Sequence, residues 1–163
     1  MALNVFISHS FLDKPIADKI RTELKQLDIH GYLAERDAQY GKLLPNKIAK
    51  AIDSSDVVLA VLTKNGSASA SVNQEIGYAM KSNKPVVPLV ESGVKAALFL
   101  QGKEVLEFSK EREDEAVERI TKFIKERFKE SLRENWVLLA FLLLAIVAFV
   151  IAINVRYSNS SYL

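Results

Sequence analysis

The sequence predicts an α/β fold in which a parallel sheet carries helices on both faces. Short apolar runs alternate about five times with segments whose apolar residues recur at helical spacing. The clearest strand, Val57–Leu62, is apolar enough to be buried on both faces, as strands of parallel sheets are. The chain has 163 residues, 49% of them apolar, which is enough for one full core and an appendage.

The remaining elements are predicted from turn residues and apolar spacing. Asp13 and Pro15 suit the start of the first helix as a cap and a first-turn proline, and Gly31 ends the connection after that helix. Pro88 lies inside an apolar run and argues for a position near the edge of the sheet or a distorted ladder, because proline has no N–H to donate. In chain order we predict first a strand at 4–8, a helix at 16–28, a strand at 32–35 and a polar loop at 36–42. A helix opened by Pro45 and closed at 54–56, the strand at 57–62, and a loop with a helix that ends near 80 follow. The last predicted elements are a strand at 86–90, a short helix at 93–102, a strand at 105–108 and a helix at 114–128.

The appendage is an apolar segment at residues 136–153. Its eighteen residues carry no charge, and as a helix they would span about 27 Å, close to the thickness of the hydrocarbon core of a bilayer. This predicts a transmembrane helix. The predicted organisation is a globular domain at 1–128, a helical connector at 129–135, a transmembrane helix at 136–155 and a short tail at 156–163.

The charges on either side of this segment predict its orientation. Six Lys or Arg residues lie between positions 119 and 133, whereas Arg156 is the one basic residue beyond the span. Because positive charge is enriched on the cytoplasmic side of membrane spans, we expect a single-pass membrane protein with a cytoplasmic amino-terminal domain.

Composition and motifs exclude several classes of function. The net charge is +2, so no basic excess indicates a nucleic-acid partner. The absence of cysteine excludes disulfides and thiolate chemistry. No Gly-x-Gly-x-x-Gly, phosphate-binding Gly-Lys-Ser/Thr or Gly-x-Ser-x-Gly pattern occurs. His9 and His30 lack ligand spacing, and His30 is expected in a turn, so no metal site is predicted.

Glu75 is the candidate residue that the sequence indicates most directly. It follows the strand at 57–62 and a polar loop, in the first turns of a predicted helix. Ligands of parallel α/β sheets bind outside the carboxyl ends of the strands, so this helix start is expected at the mouth of a pocket. Glu75 is expected to lie off the core stripe, in line with Ser71 and Tyr78, where its carboxylate faces the mouth without being buried.

Five motifs occur in an order and spacing that resemble a known family. They are Phe6-Ile7-Ser8-His9-Ser10 with Asp13, then Ala34-Glu35-Arg36-Asp37 with Gly41, then Ala51-Ile52 through Ser55-Asp56-Val57-Val58-Leu59, then the segment 69–79 around Glu75, then Lys84-Pro85-Val86-Val87-Pro88-Leu89. Together they resemble the Toll/interleukin-1 receptor (TIR) domain family over roughly residues 1–128, and most of all its prokaryotic members.

The resemblance implies a flavodoxin-like five-stranded sheet and a reaction. The enzymatic branch of the family cleaves the nicotinamide N-glycosidic bond of NAD, which is a substrate and not a resident cofactor, and defence proteins of the Thoeris type use the product as a signal during phage infection. The family's catalytic glutamate corresponds to Glu75, whereas Ser71 stands where the family has tryptophan. The same resemblance implies a substrate site that includes Ser8, Ser10, Arg36, Asp37, Gly41, Lys42, Ser69 and Ser71.

Two alternatives remain open beside NAD cleavage. One is a non-catalytic module that recruits other TIR domains, or a second copy of itself, through the loop at 36–44. The other is a nucleoside N-glycosidase or deoxyribosyltransferase, which uses a similar sheet and a glutamate. Both enzymatic functions depend on Glu75, whereas the interaction module does not. The expected partners are therefore NAD, other TIR domains and the lipid bilayer, with no nucleic acid.

Overall fold

A computed structural model describes residues 3–33, 46–94, 105–129 and 140–146. Within these ranges the chain forms a five-stranded sheet with helices between the strands. Two 3₁₀ turns, Phe11–Asp13 and Lys110–Arg112, precede the first and last helices, and a π-helical turn, Lys125–Lys129, follows the last one. The elements are β1 (Leu3–Ser8), α1 (Lys14–Gln26), β2 (Ile29–Leu33), α2 (Asn46–Asp53), β3 (Val57–Leu62), α3 (Lys64–Ala68), α4 (Ala70–Lys81), β4 (Val86–Glu91), β5 (Leu106–Phe108) and α5 (Glu113–Ile124).

The sheet is parallel throughout, in the order β2-β1-β3-β4-β5. This is the flavodoxin-like order, and the prediction of a five-stranded parallel sheet is confirmed. The chain passes from β1 to β2 on one side and then returns to add β3 on the other side of β1. The crevice between the carboxyl ends of β1 and β3 is therefore the topological switch point, where ligands bind in open α/β sheets.

Different helices cover the two faces of the sheet. On one face α2 and α4 pack against the strands, and Ile76 joins Phe6 in a shared buried cluster. On the other face α1 packs with α5 beside it. A Cβ built on Gly31 of β2 would lie 3.3 Å from Ile7 Cδ1 and 3.4 Å from Leu24 Cδ1, so β1, β2 and α1 meet closely there. The alternation of side chains along β1 thus assigns Phe6 and Ile7 to opposite layers.

The second strand begins earlier than the sequence indicates. His30 and Gly31 lie inside β2, where they pair with Asn4 and Val5 of β1, so the prediction of a turn at these residues is wrong. The turn instead ends at Asp28, which takes a left-handed conformation with φ 57°. Pairing with the central strand outweighs the weak strand preference of these residues.

The strand that contains Pro88 lies near the edge of the sheet, as predicted. β4 is between β3 and β5, and β5 is the last strand of the described sheet. Val58 donates its backbone N–H to the carbonyl of Pro85 at 2.9 Å. Backbone groups alternate sides along a strand, so those of Pro88 face β5. Since the pairing of β4 with β5 begins one residue later, at Leu89, the missing N–H falls outside the described ladder.

The segment after β3, predicted as a loop, contains the short helix α3. Thr63 caps it, because its side-chain oxygen accepts hydrogen bonds from the backbone N–H groups of Asn65 and Gly66, each at 3.0 Å. The helix predicted at 114–128 is observed as α5 and the π-helical turn that follows it. In α5 the side chains of Ala116, Ile120 and Ile124 are buried.

The chain divides into two compact units, 1–128 and 129–163. Of the second unit the structure describes residues 140–146, which are helical, with large apolar side chains such as Phe141 exposed within that unit. No helix in the described ranges has the length and apolar character needed to cross a membrane. Most of the predicted span, the connector beyond Lys129, the tail, the loop at 36–42, Pro45 and the helix at 93–102 beyond Val94 lie outside the described residues.

Candidate functional site

A hydroxyl and a carboxylate meet at the switch point. Ser8 is the last residue of β1, on the same face as Phe6, and this is the face that α4 covers. Its Oγ donates a hydrogen bond of 2.6 Å to Oε2 of Glu75, in the second turn of α4. The contact joins residues 67 positions apart in the sequence. The fold therefore brings together two side chains that the sequence singled out separately.

Glu75 is more buried than its sequence position indicates. Its exposed fraction is 2%, and that of Ser8 is 0%. The expectation that Glu75 lies off the core stripe is thus wrong, since Val72 and Ile76 of the same helix are buried with it. Burying a carboxylate is costly unless it is hydrogen-bonded, and the short bond from Ser8 supplies one such partner. A carboxylate held in these surroundings interacts with a nearby positive charge more strongly than it would in water.

A second buried carboxylate, that of Asp13, lies where the segments after β1 and β3 meet. We name the Asp13 cluster for its members Ser10, Asp13, Thr63 and Asn65. Ser10 Oγ and Thr63 Oγ1 donate to Oδ2 of Asp13 at 2.5 and 2.7 Å, and Asn65 Nδ2 lies 3.5 Å from Oδ1. Asp13 is 6% exposed and stands at the N-cap position of α1, as predicted, but its side chain makes no capping hydrogen bond to that helix. Its carboxylate is used by the two hydroxyls instead.

Close packing of α3 fixes the geometry on the β3 side of the crevice. A Cβ built on Gly66 would lie 2.2 Å from the carbonyl oxygen of Val61 and 3.3 Å from Oδ2 of Asp13. Only glycine allows the helix this near to the end of β3. One residue after α3, Ser69 caps α4 by accepting a hydrogen bond of 3.4 Å from the N–H of Val72. The segment between β3 and Glu75 is therefore held by the close packing at Gly66 and by the cap at Ser69.

The other predicted site residues divide into three groups. Ser8 and Ser10 are buried at the end of β1, and Ser69 is half-buried at the start of α4. Ser71, at the position of the family's tryptophan, is exposed on α4. The remaining four predicted residues, Arg36, Asp37, Gly41 and Lys42, lie outside the described residues.

Sequence reasoning missed Thr63 and Glu91 at the same edge of the sheet. Glu91, at the end of β4, is 6% exposed and accepts a hydrogen bond of 3.0 Å from the backbone N–H of Lys64, while Lys110 Nζ lies 3.6 Å from its other oxygen. A signal was available for both, because each polar residue directly ends an apolar strand. In a parallel sheet such residues gather at the carboxyl edge.

Tyr78 of α4 is half-buried and links this helix to α2. Its hydroxyl donates a hydrogen bond of 3.0 Å to Oδ2 of Asp53. This bond to the Asp53 carboxylate raises the pKa of the Tyr78 phenol above its ordinary value. The contact is therefore a side-chain bond between α4 and the last residue of α2.

Known structures share this fold at low sequence identity. The TIR domain of the Toll-related receptor TRR-2 from Hydra magnipapillata has a TM-score of 0.54 and 15% identity, over 80% of this chain and 95% of that one. The TIR domains of the RPS4 and RRS1 heterodimer give 0.58 and 15%, over 77% and 97%. Clostridium botulinum BcmB, a CMP N-glycosidase, gives 0.51 and 18%, over 72% and 97%. At these identities the similarity establishes the fold alone.

Sequence comparison identifies the family. No curated protein matches the chain. The family described as TIR domain matches residues 5–121, from β1 to the third turn of α5. The match covers well over half of the chain and includes Ser8, the Asp13 cluster and Glu75. This chain therefore belongs to the TIR domain family.

Proposed function

We propose that this chain is a membrane-anchored enzyme that cleaves the nicotinamide N-glycosidic bond of NAD and forms an ADP-ribose-type product. Some TIR domains are NAD hydrolases, which makes the reaction available to the family. The observation that carries the proposal is the Glu75 carboxylate, buried at the β1/β3 switch point and hydrogen-bonded by Ser8 at 2.6 Å.

The chemistry needs one fixed negative charge. When the bond between C1′ and the pyridinium nitrogen breaks, both electrons go to the nitrogen and nicotinamide leaves as a neutral molecule. Positive charge then develops on the ribose, and Glu75 would stabilise it as a carboxylate does in glycoside hydrolysis. Water adds at C1′ and loses a proton to complete hydrolysis, or a nucleophile of the same molecule adds to give a cyclic product.

Ser8 has a defined role in this proposal. Its hydroxyl donates to Oε2 of Glu75, so it fixes the orientation of the carboxylate. Because Glu75 is 2% exposed, substrate binding must open a path to it beside or through this contact. Ser10 and Ser69 would line that path, and Arg36 or Lys42 would pair with the diphosphate of NAD. Asp37, Gly41 and Ser71 complete the proposed binding set.

The test is the substitution Glu75→Gln in the purified full chain. Glutamine keeps the size of the side chain and can still accept the Ser8 hydrogen bond, so the melting temperature should change little. Loss of an electrostatic contact of this kind typically costs about 3–4 kcal/mol, or at least about a hundredfold in rate. Nicotinamide release, measured with NAD in detergent and on liposomes, should fall by that factor.

Glu91→Gln is the matched control, because it makes the same change in another buried glutamate at the same edge of the sheet. It should retain nicotinamide release even though it weakens the contact with Lys64. Equal release by the Glu75→Gln variant and the wild type would overturn the proposal. An equal loss of release in both variants would assign the effect to stability instead.

A second candidate is cleavage of a nucleoside or nucleotide N-glycosidic bond, including deoxyribosyl transfer. The similarity in fold to the CMP N-glycosidase supports this second candidate, since that enzyme breaks an N-glycosidic bond. Parallel assays with NAD, CMP and deoxynucleosides, followed by the free base released, distinguish the two. If no base is released from any of them, the third function, recruitment of other TIR domains, is favoured.

Membrane anchoring and a role in anti-phage defence belong to the same proposal. The uncharged segment at 136–153 supports a single-pass anchor, and the six basic residues before it support a cytoplasmic domain.

A diffusible nucleotide product released at the membrane would suit a defence signal of the Thoeris type. Loss of phage resistance in cells carrying Glu75→Gln would support this role, and unchanged resistance would contradict it.

A further inference from the structure

The Asp13 cluster lies in the crevice, and of its members the proposed function uses Ser10 alone, as a lining residue of the substrate path. It connects two segments that are 50 positions apart, the turn after β1 and the end of β3, through the bond from Thr63 to Asp13. Asp13 is buried, and the hydroxyls of Ser10 and Thr63 both point at the same carboxylate oxygen. Two hydroxyl donors on one carboxylate oxygen fix the orientation of the Asp13 side chain.

The directions of the hydrogen bonds that Thr63 makes follow from the chemistry of its hydroxyl group. Its oxygen accepts from the backbone N–H groups of Asn65 and Gly66, so its own proton is available for Asp13. The carboxylate thus orients the Thr63 hydroxyl, and that hydroxyl orients the first turn of α3. Hydrogen bonds connected in this way strengthen one another.

The same two segments carry the proposed catalytic contact. Ser8 lies two residues before Ser10, and Glu75 is reached from Thr63 through α3 and the Ser69 cap. The crevice is therefore bridged twice, once by the bond from Ser8 to Glu75 and once by the Asp13 cluster. A shift of the β1 turn relative to α3 would change both bridges together.

We propose that Asp13 is a positioning residue for the proposed base-release reaction: its carboxylate fixes the end of β1 against α3 and so sets the geometry of Ser8 and Glu75 at the substrate. This inference rests on the proposed function. Asp13 touches no reacting atom and acts through Ser10 and Thr63. A displacement of about 1 Å in such a support can cost about a hundredfold in rate.

The test compares Asp13→Ala with Asp13→Asn in the full chain. Alanine leaves two hydroxyls without their acceptor, whereas asparagine keeps one acceptor oxygen. We expect Asp13→Ala to lower kcat for base release about a hundredfold with KM within about twofold. Asp13→Asn should restore most of that loss. Thr63→Ser, which retains the hydroxyl, should behave like the wild type, and Thr63→Val should resemble Asp13→Ala.

Thr121→Val is the control for stability alone. Thr121 is also buried, and its hydroxyl donates to the carbonyl oxygen of Val117 at 2.8 Å within α5. Its loss should lower the melting temperature and leave kcat of the folded enzyme unchanged. If Asp13→Ala lowers the melting temperature with kcat unchanged, as Thr121→Val does, Asp13 is structural and the inference is overturned. If Asp13→Ala does not fold, the comparison of Thr63→Val with Thr63→Ser decides in its place.

Hydrogen exchange distinguishes a failure of this inference from a failure of the proposed function. In Asp13→Ala the amides of residues 8–13 and of 63–66 should exchange faster, while those of α5 should not change. A wild type that releases no base from any substrate overturns the proposed function. The exchange data then still test whether Asp13 holds the end of β1 against α3. Unchanged exchange at both segments would overturn the positioning role, whatever the activity.

Discussion

Asp13, Glu75 and Glu91 are buried within one short stretch of the sheet edge, and each accepts a hydrogen bond from a hydroxyl or a backbone N–H. Buried carboxylates reduce stability unless they are well paired, and they concentrate where a protein needs charge for function. In this sheet they follow β1, β3 and β4, the central strands of the described ladder. The chemistry of the carboxyl edge is thus set by individual residues and not by overall charge.

At the residue scale Tyr78 allows a direct test of an electrostatic contact. The bond to Asp53 raises the pKa of the Tyr78 phenol, so the protonated phenol stabilises the fold below its ordinary pKa of 10.0. That stabilisation is lost as the pH rises through the folded value. The difference in absorbance at 295 nm between the wild type and Tyr78→Phe should therefore titrate above pH 10.0.

Asp53→Asn supplies the control for this titration. It removes the charge that the phenol faces and should bring the pKa of Tyr78 back toward the ordinary value. A difference spectrum that titrates at or below that value in the wild type would contradict the contact between α4 and α2.

At the element scale the position of α3 depends on Gly66. The added methyl group of Gly66→Ala would meet the carbonyl oxygen of Val61 at 2.2 Å, a contact that backbone must move to relieve. Overpacking of this kind costs typically about 1–3 kcal/mol. We expect a loss of that size in the free energy of unfolding by urea, together with a fall in base release.

Gly77→Ala is the matched substitution one helix later. A Cβ built on Gly77 meets nothing within 4 Å, and its backbone φ is not positive. Alanine is about 0.5–1 kcal/mol more favourable than glycine inside a helix, so this variant should be as stable as the wild type or more stable. Equal losses in the two variants would contradict the close packing of α3.

Much of this fold follows from local patterns in the sequence. Val57–Leu62 and the buried face of α5 were predictable because uninterrupted or regularly spaced apolar residues leave few alternatives. The start of β2 was not, because His30 and Gly31 become strand residues only through pairing with β1. Tertiary pairing of this kind leaves little local signal.

The candidate site was predictable in part. Glu75 was identified from its helix and from the family motif, but its hydrogen bond with Ser8, which is 67 positions away, has no local signal in the sequence. The role of Asp13 could not be inferred either, since a residue before a helix with proline in its first turn suits a cap. The acceptor role of its carboxylate appears only once Thr63 arrives from β3.

At the scale of the whole molecule the division at residue 128 predicts two separable parts. A fragment ending at Phe128 retains all five strands and α1 to α5, so it should fold cooperatively and remain in the aqueous phase. The full chain should partition with detergent because of the segment at 136–153. Circular dichroism and detergent phase separation of both proteins measure these outcomes.

Protease protection supplies the control for orientation. Protease added to intact spheroplasts should leave the domain whole if it is cytoplasmic. If the fragment ending at Phe128 is unfolded, residues beyond 128 belong to the core of the domain. Digestion of the domain in intact spheroplasts would overturn the proposed orientation.

The parallel order of the sheet also bears on how the protein reaches its native state. β1 is synthesised first, yet both of its neighbours come from later in the chain, and Ser8 meets its partner only after 67 further residues. Contacts so distant in sequence form slowly, because the entropy of closing a long loop is lost before any pairing compensates for it. Recovery of base release after dilution from urea should therefore lag behind the recovery of helical signal.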